Sequence, residues 1–412
     1  MIESQSQSKS SNFSMYAVIF IAYFFVNFHR YAGGVSAPIL VEELSLTPTQ
    51  VGLFGAVFTY CYAFMNLPAG MLIDKFGSRK AIGTLYILAA FGTLVVAISE
   101  SFSLILVGRA LIAMGIAPVY AAASKTIAVW EKPEKFSIYN GFLMSFGRAG
   151  GVIAATPLVL LIGAMGWRNT YIIIAIISVV IAIGAFLLVK ENKDVDEVNK
   201  SQGNKNPFKG FRNLVTKPQY WLVLIFMISL NGTTVNIFAN WGGVFLSQGL
   251  KFSNEISSNI LLMGSIAAVT GAVISGYISS KKSARFAGFI GQTILLIAVG
   301  ILAFFTESLS TPICYITFIA IGLVEMYVIA AGFSLIRTLA TSKYVGTAFG
   351  TGNLIVWIAG SSLISQLWGI LIPGDFALSG FSTALKFHFI LVLVGLVCLY
   401  FIKEEPIKEL VE

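Results

Sequence analysis

The sequence predicts an all-α membrane protein in which twelve transmembrane helices form two pseudo-symmetric six-helix bundles. Three observations lead to this fold class: the apolar composition, the recurring long apolar runs and one hydrophilic stretch at mid-chain. The composition excludes an ordinary soluble domain, because 57% of the residues are hydrophobic and only 11% are charged. Soluble domains carry about 25% charged residues.

Hydropathy and the polar or Gly/Pro breaks divide the apolar sequence into twelve predicted spans. Each is long enough to cross about 30 Å of hydrocarbon as a helix. We number them one to twelve, with approximate limits 14–38, 49–73, 80–98, 102–125, 137–162, 168–189, 219–246, 256–279, 286–306, 311–335, 345–372 and 383–402.

The hydrophilic stretch, residues 190–218, divides the spans into two sets of six. We therefore expect an N-terminal bundle over residues 1–189, a cytoplasmic linker over 190–218 and a C-terminal bundle over 219–412. A partial repeat supports this division, because GMLIDKFGSRK (70–80) follows span two and the similar GYISSKKSAR (276–285) follows span eight. Parallel repeats of this kind predict a substrate site near mid-membrane, between the halves.

The net charge of +8 is an orientation signal. With the amino terminus inside, most Lys and Arg residues fall in loops on the inner side, which is the positive-inside bias. This distribution predicts a multi-pass protein of the inner (cell) membrane with both termini in the cytoplasm, and it argues against nucleic acid as a partner. The polar start MIESQSQSKSSNFS lacks a cleavage site and predicts a short cytoplasmic tail.

The loop after span two carries the most specific motif of the sequence. A glycine permits close helix approach, a carboxylate accepts hydrogen bonds at a neighbouring helix end, and basic side chains can latch across the inner face. This motif resembles the signature loop of the major facilitator superfamily, and the resemblance implies a role in gating. The predicted gating residues are Gly70, Asp74, Lys75, Gly77, Arg79 and Lys80.

Further segments resemble the anion:cation symporter family of that superfamily: NFHR (27–30), RALIAMGIAP (109–118), WEKPEKF (130–136) and GWR (166–168). The resemblance implies transport of organic anions such as sugar acids with protons or sodium, and an arginine in span one, Arg30, that grips the substrate carboxylate. Positions that often hold acidic residues in the family are His29 and Ile116 here. The usual proton carriers of the family are therefore missing.

Helical spacing indicates which polar side chains share a face. Tyr23, Asn27 and Arg30 align on span one, and Arg148 lies near the middle of span five. A charge inside the membrane is a functional site by default, because it is costly without a partner or water. We therefore predict that these four residues bind substrate. A structural ion pair is the alternative for Arg30, and helix packing is the alternative for Arg148.

Three residues of the second half complete the predicted substrate site: Asn236 on span seven, and Asn353 and Trp357 on span eleven. Interhelical packing is the alternative for each of them. Arg109 of span four has a different predicted role. It is expected to brace the fold by hydrogen-bonding carbonyl groups of a neighbouring helix.

Glu325 of span ten is the only acidic residue deep within a predicted span. We predict that it carries the coupling proton, with His29 as the second choice. Neutralising an arginine while the site is empty, or binding the amino group of a zwitterionic substrate, are its alternative roles.

No nucleotide-binding, metal-ligand or nucleophile motif is visible, so we predict neither an enzyme nor a cofactor. The sequence predicts a monomeric secondary active transporter in the lipid bilayer, which moves a small organic anion with a carboxylate or phosphate by proton-coupled symport and alternating access. Sodium is the alternative coupling ion. Two other transport functions stay open: a proton-coupled carrier for amino acids or short peptides, and an anion exchanger. The organophosphate antiporters resemble this chain in the arginine of span one, but they use an arginine in span seven, where asparagines stand here.

Overall fold

The structure is a computed structural model that describes residues 2–191, 214–339 and 345–403. Every predicted span coincides with helical structure in this part of the chain. Nine helices among the described residues are long and apolar enough to cross a membrane. A tenth span is the pair Ile138–Ile153 and Thr156–Met165, which is bent by 42°. The predicted all-α membrane fold is confirmed.

Several helices of the first half are interrupted or begin at glycine or proline. Gly77, with φ 81° and ψ 165°, separates spans two and three within one continuous helical stretch. Pro118 and Pro157 lie where spans four and five are interrupted, because proline cannot donate a backbone hydrogen bond. The helices are Ile2–Leu44, Pro48–Ala97, Phe102–Ile116, Val119–Trp130, Pro133–Ile153, Thr156–Met165 and Trp167–Leu188.

In the second half, serine side chains cap the helices of spans eight and nine. Ser253 and Ser283 accept hydrogen bonds from backbone N–H groups three residues later. Spans seven, eight, nine and twelve are Pro218–Gly249, Asn254–Lys281, Ala284–Phe304 and Leu378–Phe401. Span ten comprises Thr311–Val324, Val328–Phe333 and Ser334–Leu339, and span eleven comprises Val345–Ile355, Val356–Leu363 and Ile364–Leu371.

Three spans of the second half contain π-helical turns, which are wider than α-helical turns and frequently lie at functional sites. They are Asn236–Trp241 and Phe245–Gly249 in span seven, Val328–Phe333 in span ten and Val356–Leu363 in span eleven. The first turn of span seven begins at Asn236. The turn of span ten begins three residues after Glu325, and the turn of span eleven begins one residue before Trp357. The wide turns therefore include predicted site residues on spans seven and eleven and follow Glu325 closely on span ten.

The chain groups into two compact units, Met1–Ala32 with Val57–Lys205, and Gly33–Ala56 with Asn206–Glu412. Within the second unit, Oγ of Ser365 donates a hydrogen bond to the carbonyl of Gly52 (3.1 Å), and Oγ1 of Thr49 donates one to the carbonyl of Gly369 (3.1 Å). The start of span two thus packs against span eleven. The predicted division at a linker over 190–218 stays a prediction, since residues 192–213 lie outside the described residues.

The outer faces of the helices are apolar. Leu187, Val273 and Ile370 are among the large hydrophobic side chains that are exposed. Polar side chains such as Asn236 and Gln292 are buried. This arrangement suits a chain whose surroundings are hydrocarbon, where backbone and side-chain polar groups must be satisfied internally.

Candidate substrate-binding site

Arg30 lies on the face of span one that also carries Tyr23 and Asn27. Its Nη1 donates a hydrogen bond to Oδ1 of Asn27 (3.4 Å), and its guanidinium carbon lies 5.0 Å from the centre of the Tyr62 ring. The Tyr62 hydroxyl interacts with both Arg30 and Asn66, one helical turn further along span two. The Arg30 residue is partly exposed, while its Nε atom is buried.

Aromatic and amide groups extend this face toward spans four and five. The ring centres of Tyr23 and Tyr120 are 5.2 Å apart, and the Tyr120 hydroxyl accepts a hydrogen bond from Nδ2 of Asn140 (3.3 Å). A Cβ on Gly147 would lie 3.0 Å from Nδ2 of Asn27. Glycine at this position therefore lets span five approach span one closely.

Arg148 reaches span one at a different point. Its Nη1 donates a hydrogen bond to the Tyr31 hydroxyl, and its guanidinium carbon lies 5.8 Å from the centre of the Tyr31 ring. A Cβ on Gly151 would lie 3.0 Å from that ring, and a Cβ on Gly150 would collide with the carbonyl of Phe24. These glycines bring spans one and five into contact, and they set the partly exposed Arg148 side chain beside Tyr31.

Arg109 differs from the other two intramembrane arginines, because its side chain is only 2% exposed. Its Nη1 donates a hydrogen bond to the backbone carbonyl of His29 (3.4 Å), and its guanidinium carbon lies 4.6 Å from the centre of the Phe58 ring. These contacts join span four to spans one and two. They are contacts of the bracing kind that we predict for Arg109.

The His29 side chain is also buried, with 2% exposed. The Phe25 and Phe28 rings lie 6.4 and 6.0 Å from its ring, and among the described residues its Nε2 has no hydrogen-bond partner. Protonation would add a positive charge near Arg109, which is electrostatically unfavourable. The role of His29 as the second choice of proton carrier stays a prediction.

Asn236 is fully buried, and its amide group joins two helices. Its Nδ2 donates hydrogen bonds to the carbonyls of Gly232 (2.7 Å) and Gly360 (3.2 Å), and its Oδ1 accepts one from Asn240 (3.1 Å). The bond to Gly360 ties span seven to span eleven. These bonds favour the packing alternative at Asn236, and its contact with substrate stays a prediction.

Asn353 and Trp357 form a linked pair on span eleven. Nε1 of Trp357 donates a hydrogen bond to Oδ1 of Asn353, one helical turn earlier (3.1 Å). The Trp357 side chain is buried, whereas Asn353 is partly exposed. Of the two, Asn353 is therefore the more accessible to a ligand, and the indole orients its amide.

Glu325 is buried, with 4% of its side chain exposed. The α-helix of span ten ends at this residue, whose N–H group bonds to the carbonyl of Gly322 (3.1 Å). A Cβ on Gly322 would collide with the backbone of Gly264 in span eight. Glu325 thus lies at a helix break in a closely packed region, where an ionised carboxyl group is costly unless it is partnered.

The charged loop after span two is fixed at Gly77 and Ser78. The dihedral angles of Gly77 fall in a region restricted essentially to glycine, and a Cβ there would collide with the Glu191 carboxylate. Oγ of Ser78 donates a hydrogen bond to the carbonyl of Ala122 (3.0 Å). These contacts hold the loop against the ends of spans four and six.

The other motif residues show fewer contacts. Lys75, Arg79 and Lys80 are exposed, and the side chain of Asp74 lies outside the described residues. No described atom lies within 4 Å of a Cβ built on Gly70. The close approach of two helices expected at Gly70 is therefore not found among the described residues, and the glycine of this motif that meets a neighbouring group is Gly77, which faces the Glu191 side chain.

We expect Gly77→Ala to destabilise the protein, because alanine must adopt a glycine-only conformation at a cost of about 1–3 kcal/mol and must also displace Glu191. Gly70→Ala is the matched control, since it makes the same chemical change in the same loop where a Cβ meets open space. Thermal unfolding in detergent measures both variants. Equal melting temperatures for the two would contradict the proposed constraint at Gly77.

Sequence reasoning missed three tyrosines of this region, Tyr31, Tyr62 and Tyr120. A signal existed for Tyr62, because Asn66 follows it at helical spacing and forms a second polar face on span two. Tyr31 is next to Arg30 but projects about 100° away from it around the helix. Its contact with Arg148 depends on how spans one and five pack, which the sequence does not state.

The chain is similar to known membrane transporters. The family model described as Major Facilitator Superfamily matches residues 19–365. The "Probable sulfoacetate transporter SauU" of Cupriavidus necator is 24% identical over 366 residues, which cover 83% of this chain and 83% of that protein. The hexuronate transporter of Bacillus subtilis is 24% identical over 346 residues, which cover 80% of this chain and 81% of that protein.

Among solved structures, the fold is similar to that of a bacterial homologue of the human lysosomal transporter Spinster, in an inward-facing and occupied conformation. The TM-score is 0.77 at 16% sequence identity, and the match covers 93% of this chain and 95% of that one. At this identity the likeness concerns the fold alone.

Proposed function

Because the chain belongs to the major facilitator superfamily, we propose that it is a secondary active transporter of small organic anions that works by alternating access. The family model and the relatives identify a membrane transporter rather than an enzyme. One observation carries the substrate class: a partly exposed arginine, Arg30, lies inside a membrane span, and its guanidinium contacts Asn27 and Tyr62.

The chemistry of this site supports an anionic substrate. A guanidinium presents a planar fork of N–H donors that matches a carboxylate or phosphate with two parallel hydrogen bonds. The interior of the spans in the first half holds three arginines and no acidic residue, and a region of one charge sign attracts the opposite charge. Two relatives named for organic acids, sulfoacetate and hexuronate, are consistent with the resemblance to the anion:cation symporter family.

Coupling to protons is part of this proposal. Glu325 is the acidic group inside the spans that can take up a proton. Because it is buried, a charge on its carboxyl group costs free energy unless the group is partnered. In this proposal a monomer in the inner membrane, with both termini in the cytoplasm, moves the anion together with a proton. Sodium is the alternative coupling ion.

Two other substrate modes remain as alternatives. A zwitterion carrier would use Arg30 for a carboxylate and Glu325 for an ammonium group. An anion exchanger would need no proton carrier. Asn236 and Asn240 stand in span seven, where the organophosphate exchangers use an arginine, and their side chains are bonded to each other and to the helices. Because these bonds engage the asparagines in helix packing, the anion exchanger alternative has less support than symport.

A ligand screen followed by uptake tests the proposal. Purified protein is heated with organic anions, amino acids and neutral sugars, and compounds that raise the melting temperature are then tested for uptake into proteoliposomes with and without a pH gradient. We expect stabilisation by organic anions and uptake that increases with an inward proton gradient. Stabilisation and uptake restricted to amino acids would replace the anion proposal by the zwitterion alternative.

A further inference from the structure

We propose that the substrate carries two anionic groups, one bound at Arg30 and Tyr62 and the other at Arg148 and Tyr31. This inference rests on the proposed function and narrows its substrate class. The first half contains two subsites of the same composition, each with a partly exposed arginine whose guanidinium lies beside a tyrosine. In both, the tyrosine hydroxyl interacts with the guanidinium, so each pair is oriented before a ligand arrives.

The direction of the two arginines separates the subsites. Arg30 and Tyr31 are successive residues of one helix, so their side chains project about 100° apart. Arg148 reaches the Tyr31 hydroxyl, whereas Arg30 contacts Asn27 and the Tyr62 ring. Because bidentate binding requires the fork of each guanidinium to face its own pair of oxygens, one carboxylate does not satisfy both arginines.

The third arginine of these spans sets a useful contrast. Arg109 is 2% exposed and bonds to the backbone carbonyl of His29, so its charge is enclosed by protein. Arg30 and Arg148, in contrast, are partly exposed residues. A substrate with two negative charges matches these two positive charges better than a monoanion does.

The chemical class that follows is a short organic acid with a second anionic group, such as a sulfonate, phosphate or further carboxylate. Both subsites adjoin the close contact between spans one and five, where Gly147 approaches Tyr23 and Asn27 and Gly151 approaches Tyr31. This contact fixes the spacing of the two arginines, since spans one and five cannot shift apart without losing it. The spacing therefore selects for the distance between the two anionic groups of the substrate.

Matched inhibitors test this inference. Uptake of a labelled substrate into proteoliposomes is measured with added inhibitors, at a pH where all carboxyl groups are ionised. Inhibition by sulfoacetate is compared with inhibition by acetate, and inhibition by succinate with inhibition by butyrate. We expect each dianion to inhibit about 10-fold more strongly or better than its partner, because it gains a second charge-assisted pair of hydrogen bonds. Inhibition by acetate and butyrate as strong as that by the dianions would overturn the inference, while still agreeing with an organic-anion transporter.

Arg148→Gln supplies the second arm. It is expected to remove the dianion preference, with weaker inhibition by sulfoacetate and unchanged inhibition by acetate, whereas Arg148→Lys keeps part of the preference because the charge remains. Melting temperatures in detergent identify variants that fail to fold, and Tyr31→Phe then serves in place of Arg148→Gln, since it removes only the hydroxyl. If a folded variant is inhibited less by sulfoacetate and less by acetate to the same extent, Arg148 belongs to helix packing and the second subsite is rejected.

Discussion

Arg30→Gln is expected to lower uptake of the anionic substrate about 100-fold or more at substrate concentrations below KM. Glutamine removes the positive charge and the bidentate fork, and two hydrogen bonds to a charged group are together worth about 3 kcal/mol or more, which corresponds to about 100-fold in affinity. Uptake by Arg30→Lys is expected to lie between that of Arg30→Gln and that of the wild type, because lysine restores the charge without the planar fork. Initial rates in proteoliposomes at several concentrations measure the effect.

Arg337→Gln is the matched control, because Arg337 is exposed in the last turn of the helix Ser334–Leu339. We expect its uptake to stay within about twofold of the wild type, since single charges at exposed positions contribute little. Thermal unfolding must show both variants folded. Wild-type uptake by a folded Arg30→Gln protein would remove Arg30 from the substrate site.

Glu325→Gln is expected to abolish accumulation driven by a pH gradient while leaving exchange of substrate across the membrane intact. Glutamine has nearly the same shape but cannot take up or release a proton. One unit of pH supplies about 1.4 kcal/mol for each proton moved, which is about a tenfold accumulation for one cotransported proton when the membrane potential is held at zero. The wild type should therefore approach this ratio, and the variant should equilibrate its substrate without concentrating it.

Counterflow with preloaded substrate is the companion measurement for Glu325→Gln, because it requires substrate movement and no net proton movement. Glu255→Gln is the control, since Glu255 is exposed in the first turn of the helix Asn254–Lys281. Wild-type accumulation in Glu325→Gln would exclude Glu325 as the proton carrier. Loss of both accumulation and counterflow would indicate either that Glu325 contacts the substrate, as the zwitterion alternative requires, or that it holds the structure.

The course of the helices was largely predictable, because membrane spans must be long and apolar and their breaks fall at glycine or proline. Gly77 interrupts a helix where the chain needs a positive φ, and Pro118 interrupts one where the chain lacks a backbone hydrogen-bond donor. The wide turns of spans seven, ten and eleven were not predictable. Neither hydropathy nor helical spacing carries a signal for such turns, which are rare and short.

The candidate site was predictable along single helices and not across them. Helical spacing correctly groups Tyr23, Asn27 and Arg30 on one face, because it depends only on the geometry of one helix. The tyrosines that contact Arg30 and Arg148 come from other helices or other faces. Asn236 illustrates the same limit, because its spacing suggests an open face while its amide is engaged by the carbonyls of Gly232 and Gly360.

The wide turn Asn236–Trp241 changes how span seven must be read. An α-helix turns by about 100° per residue, whereas a π-helical turn contains more residues and rotates less at each step. Positions before Asn236 and after Trp241 are therefore out of phase with one helical wheel drawn for the whole span. A face identified before Asn236 does not continue onto the same face after Trp241, so any map of this span needs two wheels with an offset between them.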